Sequence, residues 1–319
     1  MTSPRSGRVF TLGETMVLFD PHGDGVPALG SDFTLRIAGA ESNYAIALAR
    51  LGIEVAWGSR LGGDPFGDVI YETLREEDVN LDHVSRIKDA PTGVFFKWRS
   101  SGRSKVFYYR KGSAATGLTP QDVPEEALSG VRHVHLTGIT MALSASARAT
   151  VVDVARRAAA AGVTLSFDPN YRPALWNGPR EAAAVHEEVL PFVDWYLCGL
   201  EEGLQLHGGD GPQELLDRLE PAVAGHVVVR IGDKGAMLRS DGAAVTVAPA
   251  GLETVLDEVG AGDGFAAGFT YGLLAGWAPV DCARAGNLIA GAALRGTGDW
   301  ETLPYLRDVK DQLAPLETQ

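Results

Sequence analysis

The chain contains very little cysteine. Only two of its 319 residues are cysteines, Cys198 and Cys282. Two cysteines are too few for a disulfide scaffold, a cysteine-rich zinc site or an iron–sulfur cluster. Both lie among apolar neighbours, in WYLCGL and VDCARAG, where a cysteine is typically a small buried hydrophobic side chain. The thiols therefore point to no redox or metal chemistry.

Positive charge is also scarce. Lys and Arg together number 28 against 41 for Asp and Glu, so the formal net charge is −13. Such a surface repels phosphate backbones and anionic lipid heads, which argues against nucleic-acid binding and membrane-surface binding. An anionic ligand would need a local basic pocket within this field.

Long apolar runs are missing as well. The nearest to one, Phe265–Val280, contains three glycines and a proline and falls short of the roughly 18 residues of a membrane-spanning helix. The N-terminal sequence MTSPRSGRVFTLGE has no apolar segment of the secretory type. These features predict a cytoplasmic protein without a membrane segment.

Strand-like and helix-like segments alternate along almost the whole chain. This alternation predicts an α/β fold with a mostly parallel sheet covered on both faces. Between residues 92 and 110 the sequence TGVFFKWRSSGRSKVFYYR instead predicts a β-hairpin. No composition break marks a boundary, so we expect one domain, residues 1–319, with a small β-lid. The predicted helices are Ser42–Leu51, Asp68–Glu77, Ala145–Ala161, Pro179–Val189, Gln213–Leu219, Asp263–Ala275, Pro279–Leu294 and Pro304–Leu313.

The most informative segment is DEVGAGDGFAAG, at residues 257–268. Gly260, Ala261 and Gly262 precede a helix-like stretch, so several backbone N–H groups can converge there on an anion. Asp263 would repel a bound phosphate, which favours a role as acceptor of the proton from a hydroxyl that attacks a phosphoryl group. The alternative is an ordinary aspartate that caps a helix after a glycine-rich turn.

Other nucleotide-binding motifs do not occur in the sequence. There is no GxxxxGK[ST] segment of the P-loop type. A GxGxxG dinucleotide motif would need glycine or alanine where Phe265 stands. The HRD and DFG elements of protein kinases are also absent from the sequence.

Four segments, in order along the chain, resemble the ribokinase-like (PfkB) family of ATP-dependent carbohydrate kinases. GAESNYAIALARLG at residues 39–52 is similar to the family's GGxxxNxAxxLARLG pattern, with Ala38 in place of the first glycine. LGGDPFGD at 61–68, RIGDKG at 230–235 and DEVGAGDGFAAGF at 257–269 are similar to its GxDxxG, [KT]xGxxG and DTxGAGDxFxAGF elements. The resemblance implies a three-layer α/β/α sandwich, lid strands within about 14–37 and 92–110, and the use of ATP and Mg²⁺.

Within the family, three longer segments resemble the kinases of 2-keto-3-deoxygluconate: VFYYRKGSAA at 106–115, HLTGITMALS at 135–144 and FDPNYRPALW at 167–176. The residues themselves agree, because a carboxylate that enters an acidic protein calls for arginine. We expect Arg110 and Arg172 at the strand-end cleft where open α/β sheets bind ligands. The resemblance implies transfer of the ATP γ-phosphoryl group to the terminal hydroxyl of this sugar acid.

The resemblance also implies roles for individual residues. The catalytic group is Asp263, together with the turn of Gly260, Ala261 and Gly262. Glu202 is expected to organise Mg²⁺ through water, although Gly199 stands where the family's NxxE element has asparagine. The residues expected to bind the sugar acid are Gly39, Asn43, Phe95, Tyr108, Arg110, Arg172 and Asp263. Those expected to bind the nucleotide are Arg230, Gly232, Gly235, Gly260, Gly262 and Asn287.

Three alternatives stay open at this point. Two are enzymes of the same fold: a kinase of 2-keto-3-deoxygalactonate, and a kinase of a neutral sugar such as fructose or ribose. The third is a sugar-binding protein on this fold that has lost catalysis. The two arginines favour an acid as substrate, and Asp263 favours an enzyme. The aromatic lid, which would be costly to expose to water, predicts a homodimer through the lids.

Overall fold

A computed structural model describes residues 8–23, 25–100, 103–250, 260–296 and 298–316. Residues 257–259 of the glycine-rich motif and residues 101–102 at the tip of the predicted hairpin lie outside the described residues. The strands are β1 Arg8–Leu12, β2 Met16–Pro21, β3 Phe33–Ala38, β4 Val55–Gly62, β5 Val84–Ile87, β6 Val94–Ser100, β7 Arg103–Tyr109, β8 Val131–Thr137, β9 Thr164–Asp168, β10 Trp195–Gly199, β11 His226–Arg230, β12 Ala236–Ser240 and β13 Ala243–Val247.

Helices follow most strands of the central sheet. They are α1 Ala40–Arg50, α2 Pro65–Glu76, α3 Gly138–Leu143, α4 Ala145–Ala160, α5 Pro179–His186, α6 Leu200–His207, α7 Pro212–Leu219, α8 Ala261–Ala275, α9 Pro279–Ala293 and α10 Leu306–Leu313. No helix in the described part of the chain has the length and apolar character needed to cross a membrane.

Nine strands form the central sheet, in the order β13-β12-β11-β10-β9-β8-β1-β4-β5. All neighbours from β11 to β5 are parallel, whereas the β11–β12 and β12–β13 pairs at one edge are antiparallel. Inner strands such as β10 are buried along nearly their whole length, as expected for a parallel sheet with helices on both faces. The predicted mostly parallel sheet is confirmed.

Two separate apolar clusters cover the two faces of this sheet. One contains buried side chains of α1, α2, α8, α9 and α10, including the fully buried Tyr44, Phe265 and Phe269. The other contains buried side chains of α3, α4, α5 and α7, including Val151 and Leu216. The result is the three-layer α/β/α sandwich that the sequence predicts.

A second, four-stranded sheet forms the lid, in the order β3-β2-β6-β7. Its strands come from the two segments in which lid strands were predicted, and β3 runs one residue further, to Ala38. Alternate residues of β6 face opposite sides. Phe95 packs with Met16 and Leu18 on one face. On the opposite, outer face Phe96 stacks on Phe19, which also packs edge-on against Phe66 of α2. The single-domain division of the chain stays a prediction.

Candidate active site

A cleft of about 1310 Å³ lies between the inner face of the lid and the C-terminal ends of β9, β10 and β11. This volume exceeds the roughly 300–1,000 Å³ of a typical single-ligand pocket, so two small molecules can occupy the cleft together. Every residue to which the sequence assigns a site role lines it, namely Gly39, Asn43, Phe95, Tyr108, Arg110, Arg172, Glu202, Arg230, Gly232, Gly235, Gly260, Ala261, Gly262, Asp263 and Asn287.

The N-terminus of α8 opens into this cleft. Gly260 caps the helix with a φ of 79°, and a β-carbon at this position would lie 1.9 Å from the carbonyl oxygen of Asp299. Only glycine suits both the left-handed conformation and this close approach. The amides of the first turn, at Ala261, Gly262 and Asp263, have no partner within the helix and carry the positive end of its dipole. The turn is therefore built to bind an anion.

Asp263 does not act as a cap for this helix. The cap residue is Gly260, and no side chain provides a capping hydrogen bond. The Asp263 carboxylate instead accepts a hydrogen bond of 2.8 Å from the side-chain amide of Asn43 and a weaker one of 3.5 Å from that of Asn170. The simple capping alternative is thus wrong, and two amides hold the carboxylate beside the anion-binding turn.

The surroundings of Asp263 disfavour its negative charge. Burial in the cleft wall raises the pKa of Asp263 to about 8, and the nearby carboxylates of Asp168 and Glu41 act in the same direction. The hydrogen bond from Asn43 and the positive charge of Arg172 lower the pKa and partly offset this rise. A carboxyl group with such a pKa can exchange a proton near neutral pH, which suits a general base.

The two arginines predicted to bind a carboxylate have different environments. Arg110 is largely buried, and its Nε donates to Glu14 at 2.7 Å. Glu14 itself is 1% exposed at its side chain, so this pair brings one positive and one negative group into the cleft wall. Arg172 is exposed at the rim, and its guanidinium donates to the carbonyl oxygen of Tyr171 at 3.4 Å. Arg172 is therefore the freer of the two for an incoming anion.

Arg230 lies in the cleft wall with its guanidinium bound to protein groups. Nη1 donates to Asp168 at 2.7 Å and to the carbonyl oxygen of Gly262 at 3.3 Å, and Nη2 donates to Glu202 at 3.1 Å. Arg230, at the end of β11, thus ties the end of β9 and the first turn of α6 to the first turn of α8. Its predicted contact with nucleotide phosphates stays a prediction.

Glu202 is held in place by three donors. Its Oε1 accepts from the backbone N–H of Gly199 at 2.6 Å as well as from Arg230, and its Oε2 accepts from the N–H of Tyr171 at 2.8 Å. Burial and the neighbouring Asp168 raise the pKa of this carboxyl, while Arg230 and the amides oppose the rise. The role that the resemblance implies for Glu202, the organisation of Mg²⁺ through water, stays a prediction.

The other end of the cleft is shaped by backbone. Gly232 and Gly235 flank the turn between β11 and β12, and a β-carbon on Gly235, whose φ is 89°, would lie 2.1 Å from the carbonyl oxygen of Val247. Asn287, on α9, donates to the carbonyl oxygens of Val247 and Ala248 at 3.1 and 2.9 Å. The contacts of Asn287 join the hairpin of β12 and β13 to α9. The wall on this side of the cleft consists of backbone and mostly apolar side chains.

Comparison with protein-family models matches residues 6–305 to the pfkB family of carbohydrate kinases. The chain belongs to this family. The expected ribokinase-like fold and the membership inferred from the motifs are therefore confirmed.

Relatives of this pfkB kinase match it over nearly their whole length. The chain is 37% identical to a 2-dehydro-3-deoxygluconokinase of Bacillus subtilis over 312 residues, which cover 97% of this chain and 96% of the relative. It is 34% identical to a 2-dehydro-3-deoxygalactonokinase of Haloferax volcanii over 303 residues, which cover 92% of each chain. Its structure superposes with a TM-score of 0.85 on a 2-dehydro-3-deoxygluconokinase from Thermotoga maritima, with 26% identity and 98% coverage of both chains.

Several cleft residues of this pfkB kinase were not identified from its sequence. Asn170, whose amide approaches Asp263, lies in the motif that drew attention to Arg172, and its φ of 38° fits an asparagine in a tight turn. Lys97 and Asp299 also line the cleft. Lys97 stands two residues after Phe95 in β6, so the two side chains lie on the same face of the strand. This spacing could have placed Lys97 on the inner face of the lid. No local pattern indicates its partner, Asp299.

Proposed function

We propose that the chain catalyses transfer of the γ-phosphoryl group of ATP to the terminal hydroxyl of 2-keto-3-deoxygluconate, which is also called 2-dehydro-3-deoxygluconate. The position of Asp263 carries this proposal. Two side-chain amides hold its carboxylate at the opening of a helix whose first-turn amides have no partner within the helix and can donate to a phosphate. A base beside an anion site is the arrangement that transfer to a hydroxyl requires.

In the proposed reaction, the deprotonated Asp263 accepts the proton of the attacking hydroxyl. The amides of Ala261 and Gly262 stabilise the charge on the transferred group as the bond to the leaving oxygen breaks. Residues on the inner face of the lid, including Phe95 and Tyr108, cover the sugar and keep water from the phosphoryl group. Water would otherwise accept the phosphoryl group and turn the enzyme into an ATPase.

Two observations support a sugar acid as the substrate. Arg172 and Arg110 bring guanidinium groups into an otherwise acidic protein, and their planar forks match a carboxylate. The Bacillus subtilis relative at 37% identity acts on the same acid by name. The Haloferax volcanii relative at 34% identity makes the galactonate epimer a second candidate substrate.

ATP and Mg²⁺ are the proposed co-substrate and cofactor. Among the described residues, no group of three or more His, Cys, Asp and Glu side chains is placed to hold a metal ion. Mg²⁺ typically keeps several waters and binds through one or two carboxylates together with substrate phosphates. The cleft fits an ion of that kind, with Glu202 as a partner through water. The ion would neutralise charge on the phosphates of the bound nucleotide.

The outer face of the lid supports a homodimer in the same proposal. Leu35, Phe107 and Tyr109 are 45%, 37% and 66% exposed, and Tyr109 packs edge-on against Phe96 on the outer side of the sheet. We propose that a second copy of the chain covers this surface. Light scattering after size-exclusion chromatography is expected to give twice the monomer mass. A mass of 33.8 kDa would contradict it.

The test of the proposed function is to identify the product. The protein is incubated with ATP, Mg²⁺ and 2-keto-3-deoxygluconate, and the product is examined by ³¹P and ¹³C NMR. We expect one phosphomonoester, at the terminal carbon, and an equal amount of ADP. No ADP release would support the non-catalytic alternative or another substrate. ADP release that does not depend on the sugar acid would indicate hydrolysis of ATP and would contradict the proposed transfer.

A further inference from the structure

Lys97 is a buried lysine on the inner face of the lid. Its side chain is 8% exposed, and its Nζ donates to Oδ1 of Asp299 at 3.2 Å. The two residues are 202 positions apart in the chain, one in β6 of the lid and the other in the segment that follows α9. A buried ammonium group requires a carboxylate partner, so the pair can exist only when the lid lies against this segment.

Asp299 also touches the anion-binding turn. Its carbonyl oxygen packs so closely on Gly260 that a β-carbon there would lie 1.9 Å away. Asp299 therefore contacts the lid with its side chain and the start of α8 with its backbone.

The neighbours of Asp299 hold it in this place. The indole Nε1 of Trp300 donates to the carbonyl oxygen of Ile37 in the lid at 3.1 Å, and Glu301 pairs with Arg36 of the lid at 2.6 Å. On the other side, Arg50 of α1 donates to the carbonyl oxygen of Trp300 at 3.1 Å. We call Asp299–Glu301 the strap, because it joins the lid, α1 and the anion-binding turn.

We propose that Lys97 is a positioning residue whose ion pair with Asp299 couples the closed lid to the anion-binding turn, so that the turn is correctly placed only when the lid covers the sugar. The inference rests on the proposed function. Without the ion pair, the closed lid keeps its contacts with Trp300 and Glu301 but loses its link to Asp299, the strap residue that packs on the anion-binding turn. The phosphoryl group is then less often aligned with the sugar hydroxyl and more often open to water.

The test compares Lys97→Met with Lys88→Met, the same substitution at an exposed lysine in the turn that follows β5. Sugar phosphate and ADP are measured in the same reaction. For Lys97→Met we expect kcat for transfer to fall by about ten- to a hundredfold, the size of effect of a lost charge-assisted hydrogen bond. The ratio of ADP to sugar phosphate should rise above one. Lys88→Met should match the wild type in both quantities.

Three further variants extend the test, and the two single ones keep it decisive if Lys97→Met folds poorly. Lys97→Arg keeps the charge and should restore a ratio close to one. Asp299→Asn should reproduce the effect of Lys97→Met, and the double variant Lys97→Met/Asp299→Asn should be no worse than the poorer single variant, because the pair acts as a unit.

Two results would overturn the proposal. One is a lower Tm with unchanged kcat and an unchanged ratio, which would make the pair merely structural. The other is a variant that loses only its preference for acids over neutral sugars, which would mean that Lys97 binds the substrate carboxylate. Failure of the proposed function is a separate outcome, since the ratio can be measured with whichever sugar the wild-type enzyme accepts.

Discussion

Replacing Asp263 with Asn is expected to remove most activity and to stabilise the folded protein. The two side chains are nearly equal in size, but the amide cannot accept the proton, so kcat should fall by about 10²- to 10⁴-fold. Burial raises the pKa of Asp263 from 3.8 to about 8. Between these pH values the folded protein holds a proton that the unfolded chain has released. The free energy of unfolding of the wild type therefore falls as the pH rises through this range, and the variant lacks this loss.

The shift of the pKa sets how much the free energy of unfolding of Asp263→Asn exceeds that of the wild type, and we call this difference the gain. A rise from 3.8 to about 8 sets an upper limit of roughly 6 kcal/mol, at 1.36 kcal/mol for each pKa unit. Because the cleft wall is partly open to water, screening reduces this value, and we expect Asp263→Asn to gain about 1–3 kcal/mol. The gain should be small near pH 4 and complete above pH 8, because only the ionised carboxyl is penalised.

Denaturant unfolding of both proteins between about pH 5 and pH 9 measures this gain, and comparison at each pH cancels the titration of other groups. Asp89→Asn, at an exposed aspartate, is the matched control and should change stability by less than about 0.5 kcal/mol. Two results would refute the reasoning. One is a gain that does not vary with pH. The other is an Asp263→Asn enzyme that keeps more than half of wild-type turnover when chemistry is rate-limiting.

Three other substitutions test the site. Arg172→Gln should raise KM for the sugar acid about ten- to a hundredfold. Because Arg172 lowers the pKa of Asp263, this variant should also move the acidic limb of the pH profile of kcat/KM to higher pH. Arg110→Ala should reduce Tm as well as substrate affinity, because it leaves Glu14 buried without its cation; loss of affinity at unchanged Tm would contradict this. Gly260→Ala should destabilise the fold by about 2 kcal/mol or more in urea unfolding, because the new methyl group would meet the Asp299 carbonyl oxygen; an unchanged unfolding midpoint would be inconsistent with the turn described.

Local patterns in the sequence were enough to predict much of the fold and the members of the site. The helices and the parallel sheet follow from apolar periodicity, and the ends of parallel strands meet at one edge. Motifs far apart in the chain, such as those of Asn43, Arg172 and Asp263, therefore converge in one cleft. Short elements were harder to predict. β5 and β13 have only four and five residues, which is too short for a clear apolar pattern. The helix α6 begins directly after β10, without a loop that would mark its start.

The partners within the site could not be predicted from the sequence. Arg110 with Glu14, Arg230 with Asp168 and Lys97 with Asp299 are pairs separated by 62 to 202 positions. Nothing in the local pattern of an arginine indicates which carboxylate it will meet, because the tertiary fold decides this. Arg230 illustrates the consequence: the motif suggested a phosphate ligand, and the structure shows a guanidinium bound to two carboxylates and a carbonyl oxygen.

The most direct test of the proposed function is the ratio of kcat/KM for 2-keto-3-deoxygluconate to kcat/KM for fructose and for ribose, measured with ATP and Mg²⁺ under identical conditions. A neutral sugar would leave the guanidinium groups of Arg110 and Arg172 without a carboxylate from the substrate. We therefore expect the acid to be preferred by about a hundredfold or more, the combined effect of losing charge-assisted hydrogen bonds. A higher kcat/KM for fructose or ribose would contradict the assignment of a sugar-acid substrate.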